Sequence, residues 1–197
     1  MFRALLLLRN KTDVKEEISV NTGRSDVKNK IFFSVMFALA FFISCVFVPG
    51  IRAGGRYMVC ADLLFAMSVV AGILYENRRA VSVIALVSGI VSDVFLTPPM
   101  HLSPLLFFFA AYYAAKTVGV FTKTNAATAA VASIPFFLIR SVVGCVYTLS
   151  ANDGTSLGFV LKNTVLPELA FNVTAVFFTY IAVSFLYKWA KRRFFIL

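Results

Sequence analysis

The sequence predicts an all-α, polytopic membrane protein, a bundle of six transmembrane helices, and three observations support this class. Apolar residues fill 60% of the 197 positions, charged residues fill only 14%, and the mean hydropathy is +0.85. Soluble domains are nearer half apolar and a quarter charged, so most of the surface is expected to face lipid. Six apolar stretches are long enough to cross a bilayer, and basic residues gather at one side of them.

The chain divides into a cytoplasmic N-terminal extension at 1–30 and a transmembrane bundle at 31–197. The extension is polar, with seven Lys or Arg and four Asp or Glu. The six predicted spans are 31–48, 57–75, 80–96, 102–121, 126–149 and 164–187. Each is expected to be helical because lipid offers the backbone no hydrogen-bond partners. Short turns make successive helices antiparallel neighbours, and the longest connection is predicted at 150–163.

The positions of Lys and Arg predict that both termini lie in the cytoplasm. Fifteen of the nineteen basic residues fall in the extension, near the second and fourth turns, or in the tail. The opposite side holds Arg52, Arg56 and Lys162, and Arg140 lies inside the fifth span. The positive-inside rule assigns the richer side to the cytoplasm. The net charge of +10 therefore indicates anionic membrane lipids as partners and no nucleic acid.

Polar residues inside the predicted spans are candidate functional positions, because charge in lipid is costly. This intramembrane polar cluster consists of Asp62, Asp93, Arg140, Glu168 and Asn172. The topology places its three acids near the outer face, and Arg140 about 14 Å from the outer end of the fifth span. Asp62 and Glu168 lie in first turns, where the helix dipole favours a carboxylate and capping is an alternative role.

Asp93 lies in the last turn of its helix, where the dipole opposes a negative charge, so it needs a partner or a water-filled loop. Arg140 is the expected partner and His101 the second choice, and such a pair would lock the bundle. Glu168 and Asn172 lie one turn apart on one helix face.

No catalytic residue, metal site or cofactor is predicted. The three cysteines lie in apolar segments without a CxxC pair, and His101 is the only histidine. One histidine with scattered cysteines does not make an ordinary zinc site. The sequence also lacks HExxH and Gly-x-Ser-x-Gly patterns.

Three consecutive motifs carry a resemblance to a known family. Ala-Asp-Leu-Leu-Phe stands at 61–65, Ala-Leu-Val-Ser-Gly-Ile-Val-Ser-Asp-Val-Phe at 85–95, and Pro-Pro-Met-His-Leu-Ser-Pro-Leu at 98–105. This pattern resembles MreD, the rod-shape-determining membrane protein of bacteria. The sequence departs from the family at Ala61, where proline is expected, at the turn formed by Pro98 and Pro99, where glycines are usual, and in its long extension.

The resemblance implies a non-enzymatic scaffold of the cell-elongation machinery in the bacterial cytoplasmic membrane. It implies an MreC-like single-span partner and, indirectly, an MreB-like filament and the peptidoglycan synthases. The family's motif aspartates map onto Asp62 and Asp93, and the outer turn holds Pro98, Pro99 and His101. The family's motifs do not include Arg140 and Glu168. These two residues are candidates only because charged side chains in lipid are costly.

An alternative function is the substrate-binding subunit of an energy-coupling-factor vitamin transporter, since such subunits have a similar size and helix count. The polar cluster would then line an outward-facing pocket. The first helix lacks a clear Ala-xxx-Ala docking row, for which Ala40 and Ser44 are a weak substitute. Tight binding of a vitamin by the purified protein would distinguish this alternative from the scaffold.

Overall fold

The computed structural model describes residues 26–45, 51–53, 57–59, 61–75, 77–95, 102–118, 124–151 and 156–194. Its elements, in chain order, are α1 (Asp26–Cys45), β1 (Ile51–Ala53), β2 (Tyr57–Val59), α2 (Leu63–Leu74), α3 (Arg78–Phe95), α4 (Ser103–Val118), α5 (Ala126–Ala151), α6 (Leu157–Val160), a π-helical segment (Leu161–Val165) and α7 (Leu166–Phe194). The last three follow without a break and are called the terminal helix. Counted in this way, the described residues form six helices, which confirms the predicted helical class.

The second helix begins later than the sequence predicts. Residues 57–59, expected to open the second span, instead pair with 51–53 in a short antiparallel hairpin, with Ile51 opposite Val59. Helix α2 starts only at Leu63, because Asp62 adopts a non-helical conformation and caps it. The apolar run at 57–75 thus contains a strand and a helix of 12 residues rather than one long helix.

The terminal helix begins earlier than predicted and removes most of the expected connection at 150–163. Helix α5 continues to Ala151, and the next helix already starts at Leu157. Ser156 caps this start, since its side chain accepts from the backbone N–H of Phe159. Residues 162 and 163, expected in that connection, lie in the π-helical segment together with residue 164, the predicted start of the sixth span.

Helix α2 is the centre of the bundle. Its residues from Leu64 to Gly72 are all buried, so it is enclosed on every face. It packs against α3, α4, α5 and α7. Gly72 allows α4 to approach closely, because a Cβ there would lie 2.9 Å from the carbonyl carbon of Ala111. A helix that is apolar on all sides is typical of a protein core or of a membrane span.

The helix termini alternate between two ends of the bundle. At one end, called the Tyr75 end, the hydroxyl of Tyr75 donates to Asp26 at 2.6 Å, and the ring of Tyr187 packs on Phe33. At the opposite end, called the Arg140 end, Phe95 closes α3 and contacts Phe41 of α1. Successive helices therefore run antiparallel, as the short connections predict.

The surface of the bundle is apolar, which is typical of a protein that faces lipid. Large side chains more than 60% exposed include Phe42, Val94, Phe95, Phe178 and Phe185. Among the described residues, three helices are long and apolar enough to cross a membrane: Asp26–Cys45, Ala126–Val146 and Leu157–Arg193. Helices α2 and α4 are shorter, and α3 contains three charged residues. Six spans with cytoplasmic termini thus stay a prediction.

Candidate functional site

Asp62 fixes the start of the central helix and ties it to the terminal helix. Its Oδ1 accepts a hydrogen bond from the backbone N–H of Phe65 at 2.9 Å, which is the usual N-cap interaction. Its own backbone N–H donates to Oδ1 of Asn172 at 2.7 Å. Capping and a charged contact are therefore combined in Asp62 and are not alternatives.

Arg140 supplies that charged contact from α5. Its Nη2 forms an ion pair with Oδ2 of Asp62, and only 6% of the arginine side chain and 12% of the aspartate side chain are exposed. In a buried pair, loss of either partner leaves a charge without compensation, at a cost of about 3–5 kcal/mol. The pair therefore joins α2 to α5 only while both charges are present.

Aromatic rings enclose the guanidinium of Arg140. The ring centroids of Phe65 and Phe107 lie 5.2 and 5.7 Å from its central carbon, within cation–π range. Phe137, one helical turn before Arg140, packs edge-on against Phe65 at 5.0 Å. All three rings are buried and come from α2, α4 and α5. They exclude water from the pair, which strengthens its electrostatic attraction.

Glu168 and Asn172 approach the same place from the terminal helix. Asn172 is 1% exposed, and Glu168, one turn earlier, is half-buried and interacts electrostatically with Arg140 and Asp62.

Between α5 and the terminal helix is a cavity of about 100 Å³. Its lining consists of Arg140, Ser141, Gly144, Cys145, Val160, Thr164, Val165 and Glu168. Nη1 of Arg140 is buried and has no hydrogen-bond partner among the described residues.

The π-helical segment forms one wall of this cavity. Thr164 and Val165 belong to it, and Glu168 follows three residues after its end. Such segments insert an extra residue into a helix and occur frequently at functional sites. Hydropathy gives no signal for a π-helical segment, and the sequence predicts a connection up to residue 163, so this feature was not predicted.

Asp93 does not pair with Arg140, so that expected contact is wrong. The carboxylate that Arg140 binds belongs to Asp62. Asp93 is half-buried at the end of α3, a helix that packs on α2 and α4. Its Oδ1 is buried and has no hydrogen-bond partner among the described residues. Four of the five predicted cluster residues are thus close together, and Asp93 forms no ion pair with them among the described residues.

The remaining candidate residues lie outside the described part of the chain. These are Pro98, Pro99 and His101 of the outer turn, and also Cys60. The two described cysteines are free thiols, Cys45 exposed and Cys145 half-buried.

A second polar cluster, at the Tyr75 end, was not expected from the sequence. Asp26 accepts hydrogen bonds from the hydroxyl of Tyr75 at 2.6 Å and from Nδ2 of Asn77 at 3.3 Å. It also pairs with Lys30, one turn later on α1, at 2.7 Å. This cluster ties the start of α1 to the end of α2. Tyr75 is 2% exposed. The signal for such a contact in the sequence is a tyrosine at the end of an apolar helix, because its hydroxyl needs a hydrogen-bond partner when the ring is buried.

Comparison with protein families gives a match over most of the chain. The model of the family described as "rod shape-determining protein MreD" matches residues 26–190. That range contains all six described helices up to Ala190 and both polar clusters. No curated protein and no solved structure matches the chain significantly.

Proposed function

The chain belongs to the MreD family of rod shape-determining proteins, and from this premise we propose that it is a non-enzymatic, multi-pass scaffold in the bacterial cytoplasmic membrane. In this function it binds an MreC-like single-span protein and supports lateral peptidoglycan synthesis. The observation that carries the proposal is the family match over residues 26–190. The alternative as a vitamin-binding transporter subunit receives no support from that match.

The polar cluster supports a scaffold role. The side chains of Asp62, Arg140 and Asn172 form contacts between helices, and aromatic rings surround the ion pair. These contacts join α2, α5 and the terminal helix, so their evident effect is to fix helix positions. A scaffold needs such rigidity to present a constant surface to a partner.

The proposed orientation places the Tyr75 end in the cytoplasm. Arg78 and Arg79 begin α3 at that end, and Lys188, Lys191, Arg192 and Arg193 lie near the end of α7. Positive charge on this side agrees with the positive-inside rule. The alternation of helix termini between the two ends supports six passes through the membrane. In this arrangement α2 is shielded from lipid by its neighbours.

Depletion of the protein in host cells that grow as rods tests the proposal. We expect depleted cells to become round, and an MreC-like protein to co-purify with the tagged chain from solubilised membranes. Complementation by the wild-type chain controls for effects on neighbouring genes. Normal cell shape after depletion would exclude the role in shape determination, and a stable rod complex formed without this chain would exclude the scaffold role.

A further inference from the structure

The cavity beside Arg140, here called the polar compartment, is lined by both a buried cation and a carboxylate, Arg140 and Glu168. Nη1 of Arg140 is a buried donor without a hydrogen-bond partner among the described residues, and the arginine is 5% exposed. Glu168 lines the same compartment and supplies carboxylate acceptors. A buried unpaired donor costs about 1–3 kcal/mol, and more when it is charged. Arg140 lines the compartment, and a small rotation of its guanidinium would turn Nη1 toward an occupant that accepts from it, which would recover this energy.

An apolar groove adjoins the polar compartment. It has a volume of about 190 Å³ and shares Cys145 and Val165 with the compartment. Its walls include Val142 and Val146 of α5 and Leu157 and Leu161 of the terminal helix, all 41–59% exposed. The groove is therefore open along the outside of the bundle, between two neighbouring antiparallel helices.

The order of the two spaces along the membrane normal decides what fits them. On α5 the groove extends to Leu149, close to the helix end at Ala151, whereas Arg140 lies about 16 Å from that end. On the terminal helix the groove begins at Leu157, and Glu168 lies at a similar depth to Arg140. The apolar space is thus nearer the surface, and the polar one is deeper. A phospholipid has the reverse order, with its headgroup outermost.

A transmembrane helix fits this order, because its side chains can be apolar near the surface and polar at mid-depth. The charges in the compartment specify the polar side chain further. Glu168 opposes a carboxylate, and Arg140 opposes an ammonium group. A neutral amide or hydroxyl meets both, since its oxygen accepts from Arg140 and its N–H or O–H donates to Glu168.

We propose that the single-span partner docks its transmembrane helix along the groove between α5 and the terminal helix, and inserts one amide or hydroxyl side chain into the polar compartment. This inference rests on the proposed scaffold function and names the surface on which it acts. Polar side chains form hydrogen bonds between helices in lipid, and small energies suffice to set the register of such a pair.

Site-specific photocrosslinking in membranes tests the docking surface. A photoreactive residue at Val146, which is 59% exposed in the groove, is expected to crosslink to the partner's membrane span. The matched control is Val87 on α3, which is 53% exposed and distant from the groove. Mass spectrometry of the product should locate the crosslink within two helical turns of an Asn, Gln, Ser or Thr in the partner's span.

A groove-filling variant provides a second readout that leaves the fold intact, because Val146 is exposed. V146W is expected to reduce co-purification of the partner at least tenfold, whereas V87W leaves it unchanged.

If the wild-type chain retains no partner at all, the proposed function fails. If the partner co-purifies equally with V146W, or crosslinks at Val87 instead, the docking surface is wrong and the scaffold function stands. A crosslink from Val146 to lipid or to a second copy of this chain would also overturn the inference.

Discussion

Asp62 and Arg140 form a buried ion pair that joins the first residue before α2 to the middle of α5. The two oxygens of Asp62 have separate tasks, since Oδ1 accepts from the N–H of Phe65 and Oδ2 binds the guanidinium. Substitutions can therefore separate the cap from the charge. The contribution of the buried charge to the stability of the bundle can therefore be measured separately from that of the helix cap.

Neutralising Asp62 should destabilise the bundle even though the cap is kept. Asparagine is as good an N-cap as aspartate, so D62N keeps the cap and removes the carboxylate that forms the ion pair with the buried Arg140. We expect a loss of about 3–5 kcal/mol in the free energy of unfolding, measured by denaturant titration in lipid-like micelles. The double variant D62N/R140M should lose less than the sum of the two single changes. Additive losses would show that the pair contributes no coupling energy.

The sequence predicted which residues would be polar inside the bundle but not which of them would pair. The structure brings Asp62, Arg140, Glu168 and Asn172 together at the Arg140 end, in keeping with their order along the predicted spans. The choice of Asp62 over Asp93 depends on which helices neighbour α5, and hydropathy carries no information about that. The start of α2 was also missed, because a strand and a helix that are equally apolar have the same hydropathy.

Asn172 should matter through a backbone contact. Its Oδ1 accepts from the N–H of Asp62 at 2.7 Å, and N172L leaves that partly buried donor unpaired. We expect a loss of about 1–3 kcal/mol in unfolding free energy, from the same titration. The matched control is T174V on the same helix, since Thr174 is exposed and donates only to Ala170 of its own turn. Equal effects of both variants would mean that the contact with Asp62 has no specific role.

Gly72 should be intolerant of even a methyl group. A Cβ there would overlap the backbone of Ala111 on α4, and backbone cannot move as a flexible side chain can. In an open helix, Gly to Ala stabilises by about 1 kcal/mol, so G158A, where nothing lies within 4 Å, serves as the control. We expect G72A to lower the thermal midpoint and G158A to keep or raise it. A G72A protein as stable as wild type would contradict the close approach of α2 and α4.

Tyr75 should anchor the start of α1. Its hydroxyl donates to Asp26 at 2.6 Å, so Y75F removes a link between α1 and α2 while keeping the buried ring. We expect faster amide hydrogen exchange in the first two turns of α1, by about fivefold, which corresponds to about 1 kcal/mol. The control is Y112F on α4, where the tyrosine is 36% exposed. Unchanged exchange in Y75F would assign the anchoring of α1 to its other contacts, such as the packing of Phe33 on Tyr187.

The six-span topology makes a specific prediction about which positions a membrane-impermeant maleimide reaches. In a background with Cys45, Cys60 and Cys145 replaced by serine, S156C at the Arg140 end should label in intact spheroplasts. R79C and K191C, both exposed at the Tyr75 end, should label only after the membrane is permeabilised. R79C is the decisive position, because it tests whether α2 and α3 cross the membrane in addition to the three longest helices. Labelling of R79C in intact spheroplasts together with S156C would place both bundle ends outside and would contradict six spans.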